Sequence, residues 1–190
     1  MVEVHPYGNF IPPGAHSMII GSFPIGKFSN PKRRHEIKAH EFDFYFGGEK
    51  NLLWRLLGDC FGRKLQSKDD IVRLLSEKKI GVGDVIVSCR RKEGRASDSD
   101  LYDICWNTDL LKLIKKKKIQ KIYFTSRQVE KWFKALFPQE SSLEKILLIS
   151  PSAQSARSIA RMPEYVRWKK KHPLLKTYQF LLKKYEEVFN

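Results

Sequence analysis

Cysteine is scarce in this chain. Cys60, Cys89 and Cys105 are the only three, odd in number and scattered, which excludes a disulfide framework and a zinc site built on paired CxxC spacings. They read as free structural thiols. The five histidines are dispersed, and His35 and His40 lack the HExxH helix pattern of a zinc hydrolase, so no metal is expected. No GxxxxGK[ST] loop is present, which argues against a phosphate-loop nucleotide enzyme. No apolar stretch approaches the roughly 20 residues needed to cross a bilayer. The first residues also lack the basic start and apolar block of a signal peptide, and a cytoplasmic protein with no membrane partner is expected. Acid is short as well: 21 Asp and Glu stand against 36 Lys and Arg.

The resulting formal charge of +15 is a strong field for a small protein and favours a polyanionic partner. Nucleic acid leads, ahead of an anionic membrane surface or an RNA–protein assembly. Some of this charge has a plainer use, since Lys115 to Lys118 sit where a helix C-terminus is expected and cations suit its dipole. With 190 residues, 42% hydrophobic and 30% charged, the chain suits one packed domain spanning 1–190, expected to act as a monomer.

Ser17 to Gly21 (SMIIG) follows a Pro-Pro-Gly turn and reads as a buried first strand. The stretch from Ser22 to Lys50 is polar, punctuated by Gly and Pro and rich in Phe, too long for a simple connector; such loops carry function. Asn51 to Phe61 places Leu52, Leu53, Leu56, Leu57 and Cys60 on one helical face, with Asn51 suited to cap its start. Ser67 to Lys79 begins with a box of Ser67 and Asp70 and predicts a second helix. Gly83 to Ser88, Lys121 to Thr125 and Lys145 to Ile149 read as further strands, with helices over Thr108 to Lys118 and Ser126 to Phe137. The stripe of Leu174, Thr177, Tyr178, Leu181, Leu182, Tyr185 and Phe189 predicts a closing helix over Pro173 to Phe189, packed on the core. Strands alternating with helices imply an α/β fold, a three-layer α/β/α sandwich with a central, mostly parallel four-stranded sheet. In such sheets ligands collect at the carboxyl ends of the strands, so the loops at Ser22, Cys89, Ser126 and Ser150 should face one crevice.

Four segments carry a family resemblance. Gly21-Ser22-Phe23-Pro24 follows the first strand, and Tyr45-Phe46 is separated by four residues from Asn51, with Trp54 beyond. Asp84-Val85-Ile86-Val87-Ser88-Cys89 is followed by Asp98, and Ser150-Pro151-Ser152-Ala153 comes last. In this order, from Ser17 to about Ala156, they resemble the motifs of the uracil-DNA glycosylase superfamily, most closely its hypoxanthine-DNA glycosylase branch. The chain departs from that branch at Gly48-Glu49-Lys50, where His-Pro-Arg is usual, and at Thr125-Ser126, where Asn-Gly is usual. Phe23 stands where sister families keep the Asp or Asn that handles the water.

The resemblance implies a monofunctional enzyme that cuts the N-glycosidic bond of uracil or hypoxanthine flipped out of damaged DNA. No cofactor is expected: some branches hold an iron–sulfur cluster on four cysteines, and three at other spacings do not match it. Asn51 takes the catalytic place, orienting a water through its side-chain oxygen, although a helix cap alone would use the same residue. Phe46 is the stacking face for the base, and core packing is its plainer role. Ser22, Phe23 and Ser88 complete the base-binding set. DNA contacts are expected from Pro24, Gly26, Lys27, Arg90, Arg91, Ser150, Pro151, Ser152 and Arg157, with Lys92, Arg95 and Arg161 adding charge at the same rim. The competing expectation is a nucleic-acid-binding module of the same fold that has lost catalysis, which the Gly48-Glu49-Lys50 departure favours.

Overall fold

The chain begins with a three-residue strand, β1 (Val2–Val4), and reaches its first central strand at β2 (Ser17–Gly21). The computed structural model describes residues 1–92 and 97–190. After β2 come the single turn α1 (Gly26–Ser29) and the helices α2 (Leu53–Cys60) and α3 (Lys68–Glu77). Strands β3 (Ile80–Asp84), β4 (Ile86–Arg91) and β5 (Leu101–Trp106) follow. The remainder alternates: α4 (Leu110–Lys116), β6 (Lys121–Phe124), α5 (Arg127–Leu136) and β7 (Glu144–Leu147). Three helices close the chain, α6 (Ala156–Ala160), α7 (Pro163–Lys171) and α8 (Thr177–Phe189).

The central sheet has four parallel strands in the order β3-β2-β6-β7. Every residue of β2 is buried, as a strand covered on both faces requires. Its side chains alternate: Ile19 joins the cluster formed by α2, α3 and α8, while Met18 and Ile20 join the one formed by α4 and α5. In β6, Tyr123 faces the first cluster and Ile122 and Phe124 the second. This is the expected three-layer sandwich. Each fully buried Leu or Ile in these layers contributes about 1.5–3 kcal/mol, and α2 alone buries Leu53, Leu56 and Leu57.

Local signals set the helix starts. The Ser67 hydroxyl accepts from Asp70 N while the Asp70 carboxylate accepts from Ser67 N, a complete capping box at the head of α3. Ser126 caps α5 by accepting from Val129 N.

Two expectations need correction. The run from Gly83 to Ser88 is not one strand: the chain leaves the central sheet after Asp84 and enters a second, antiparallel sheet of order β1-β4-β5 at Ile86. The crossing is fixed by Val85 N donating to Gly21 O (3.0 Å) and Ile86 N to Ser22 O (3.3 Å). At the other end, the closing helix starts at Thr177, and Leu174 lies before it, 95% exposed.

The long segment between β2 and α2 is pinned from within. Its buried Glu41 accepts from Lys27 Nζ (2.5 Å), Lys38 N (2.9 Å) and Glu49 N (2.8 Å). Burial alone would raise the Glu41 carboxyl pKa, but these donors, Lys27 foremost, hold it below the usual carboxylate range. Among the described residues no helix is long and apolar enough to cross a membrane.

Candidate functional site

The carboxyl ends of the four parallel strands lie along one edge of the sheet, and β2 and β3 end there side by side with Gly21 paired to Asp84. A β-carbon on Gly21 would stand 2.5 Å from Asp84 Oδ1 and 2.6 Å from the Phe46 ring. Only glycine leaves that spot open. Phe46 itself sits at φ 53°, a left-handed backbone that costs a residue with a side chain on the order of 1 kcal/mol or more and gathers at functional sites.

Asp84 is 4% exposed, and its two oxygens differ. Oδ2 meets His5 Nε2 at 2.9 Å, whereas Oδ1 is buried with no hydrogen-bond partner. A buried acceptor left unpaired costs about 1–3 kcal/mol, so such groups are rare and tend to mark function. The same carboxylate lines a cavity of about 260 Å³ with His5, Tyr7, Asn9, Tyr45 and Asn107.

One residue further along, the Ser22 hydroxyl donates to Asp98 Oδ1 at 2.7 Å. Burial lifts the Asp98 pKa above the ordinary range. The Ser22 hydrogen bond and the Arg91 charge oppose that rise, and the Asp84 charge adds to it. Beside this pair the Arg91 guanidinium donates to Pro24 O (2.6 Å) and pairs with Glu3 (3.2 Å), which fixes the turn that follows β2.

The other half of the edge lies beyond β7. Asn51 faces Ser152 in an antiparallel bridge, flanked by hydrogen bonds from Leu52 N to Pro151 O (2.9 Å) and from Ala153 N to Lys50 O (3.0 Å). The Asn51 side-chain oxygen accepts from Leu53 N at 3.0 Å and so caps α2. The loop with Phe46 is held to the same helix by Trp54 Nε1 donating to Tyr45 O at 2.6 Å. Ser150 and Ser152 brace their own turn, accepting from Ser152 N and Gln154 N (both 3.4 Å).

The structure therefore brings Ser22, Pro24 and Phe46 to the ends of β2 and β3, and Asn51, Ser150, Pro151 and Ser152 to the end of β7. Others fall elsewhere. Ser88 lies within β4, opposite Val4 and Cys105, because the sheet strand ends four residues earlier at Asp84. Cys89 is fully buried, and Phe23 is 8% exposed in the core, so its side chain offers no edge to a ligand.

The expected phosphate contacts at Lys27 and Arg91 are corrected too. Lys27 is neutralised by Glu41, with its side chain 13% exposed, and Arg91 by Glu3, at 5%. Gly26 is buried, and its close neighbour is the Arg33 guanidinium, 2.9 Å from where a β-carbon would lie. Arg90 is exposed and approaches Asp103 at 3.5 Å, while Arg157 and Arg161 are exposed. Arg95 lies outside the described residues. Asp84, Asp98 and His5 are functional candidates that the motif reading passed over. An Asp ending a buried strand, with Gly across from it, was the available signal for the first.

No family model matches the chain, and no curated protein matches it. Among solved structures, it is similar to the solution NMR structure of a candidate uracil DNA glycosylase from Methanosarcina acetivorans, with a TM-score of 0.61 and 20% identity over 100% of this chain and 97% of that one. At this identity the likeness concerns architecture, and the chain shares the α/β fold of that protein from end to end.

Proposed function

We propose that the chain is a monomeric, monofunctional DNA glycosylase that hydrolyses the N-glycosidic bond of a deaminated base, uracil or hypoxanthine, extruded from DNA. The observation that carries this reading is the unpaired Asp84 Oδ1, buried beside the Phe46 ring in the gap that Gly21 leaves open. An extruded base needs a stacking face and hydrogen-bond partners for its edge. Phe46 offers the first. Asp84 Oδ1 is an acceptor for the ring N–H of uracil or hypoxanthine, and the Ser22 turn supplies main-chain groups nearby. The fold shared with a candidate uracil DNA glycosylase and the charge of +15 point the same way.

In this reading Asn51 orients the attacking water with the second lone pair of its side-chain oxygen, the first being engaged by Leu53 N. The Ser150 to Ser152 turn and Arg157 contact phosphates. That engagement of Asn51 also favours the second reading, a binding module of the same fold without catalysis. Incubation with duplexes each carrying one altered base, followed by alkali to cut at abasic sites, separates the two. Strand cuts at uracil or hypoxanthine are expected. Tight DNA binding with no base released from any duplex assigns the chain to the binding module.

A further inference from the structure

We infer that Asp98 is a second catalytic group of this site, a carboxylate that stabilises the cationic sugar and takes the proton of the attacking water. The inference rests on the glycosylase reading and adds a residue to it. Three observations carry it. First, Asp98 is joined to the turn after β2 by the 2.7 Å hydrogen bond from Ser22, one residue from the Gly21 gap where the base would lodge. Second, its partner is a neutral hydroxyl. Among the described residues no Lys or Arg forms a salt bridge with it, although Glu3 and Glu41, also drawn inside, each have one. The nearby Arg91 spends its N–H groups on Glu3 and Pro24 O. Third, only one Asp98 oxygen is taken by Ser22, which leaves the other for a water or a substrate.

Breaking an N-glycosidic bond sends its electron pair out with the base and leaves positive charge on the sugar ring. A carboxylate facing that ring stabilises the charge as it develops. The water oxygen then bonds to the anomeric carbon, its proton passes to Asp98, and the neutral acid returns that proton to the departed base anion or to solvent. Atoms and charge balance with no other reactant. Burial lifts the Asp98 pKa towards the working pH, which suits a group that must accept a proton and release it. The charges that face it are Asp84 at the end of β3 and Arg91 on β4, with the Ser22 hydroxyl between the strands.

The test is single-turnover base release from a uracil or hypoxanthine duplex as a function of pH, with melting curves and DNA affinity measured for each variant. Asp98→Asn keeps an acceptor for Ser22 and removes the charge. It should lower the rate about 100-fold or more, leave DNA affinity intact and abolish the acid limb of the pH profile. Ser22→Ala removes a hydrogen bond that favours the charged form, and should shift that limb to higher pH. A wild-type chain that releases base while Asp98→Asn keeps its rate and acid limb overturns the role of Asp98 and leaves the glycosylase reading standing. A wild-type chain that releases no base overturns both.

Discussion

Asn51 and Ser152 lie opposite one another across the seam between the loop entering α2 and the loop leaving β7, clamped by backbone hydrogen bonds on either side. Asn51 thus caps a helix and borders the crevice at once. Asn51→Ala should cost about 1 kcal/mol of stability through the lost cap and, separately, cut base release roughly 100-fold. Melts beside single-turnover rates resolve the two effects. Loss of stability with full turnover per folded molecule would leave Asn51 a cap only.

Gly21→Ala would drive a methyl group to within 2.5 Å of Asp84 Oδ1 and 2.6 Å of the Phe46 ring. Overpacking of this kind costs about 1–3 kcal/mol. The variant should bind undamaged DNA as before and lose its preference for a duplex carrying an extruded base. Phe46→Ala, which removes a stacking face worth roughly 1–3 kcal/mol, should weaken the same preference. Competition binding between damaged and undamaged duplexes reads both, and an unchanged preference would detach the gap from base capture.

DNA affinity should fall steeply with salt, each phosphate neutralised adding about −0.9 to the log–log slope. Arg157→Ala should make the slope shallower by about one contact. Lys27→Ala and Arg91→Ala should leave the slope alone and lower the melting temperature, since their charges are spent on Glu41 and Glu3. A shallower slope in either of these two would return them to the DNA surface.

Asp98 and Glu41 should affect stability with opposite sign as pH changes. The Asp98 pKa is raised in the folded chain. The stability this brings is present below the unfolded carboxyl pKa of about 3.9 and lost as pH rises through the folded value. Asp98→Asn should therefore melt higher than wild type at neutral pH and level with it in acid. The Glu41 pKa is lowered, so its contribution is present above the unfolded value and lost as pH falls through the folded one. Glu41→Gln should melt lower at neutral pH, the gap closing in acid. Melting curves from pH 3 to 8 check both signs.

Patterns that repeat within a few residues were legible in the sequence. The alternation of Met18, Ile19 and Ile20 sends side chains to two layers, and the Ser67–Asp70 box starts α3 where expected. Illegible were events that join distant positions. Nothing local to Lys27 or Arg91 announces that Glu41, 14 residues away, and Glu3, 88 away, will consume their charge. The apolar run through Val85 and Ile86 hides a change of sheet, since both sheets bury the same residue types. That change moved the strand end from Ser88 to Asp84.

The ties from the first strand to the crevice also govern the order of assembly. His5 meets Asp84 across 79 positions and Glu3 meets Arg91 across 88. A growing chain that has not yet released Arg91 from the ribosome can close neither. Loop closure over such spans is slow compared with helix formation, so α2 and α3 can form while the turn at Ser22 still lacks its braces. The acidic corner of the molecule is then among the last parts to set during synthesis. In a partly unfolded chain it is among the first to come loose.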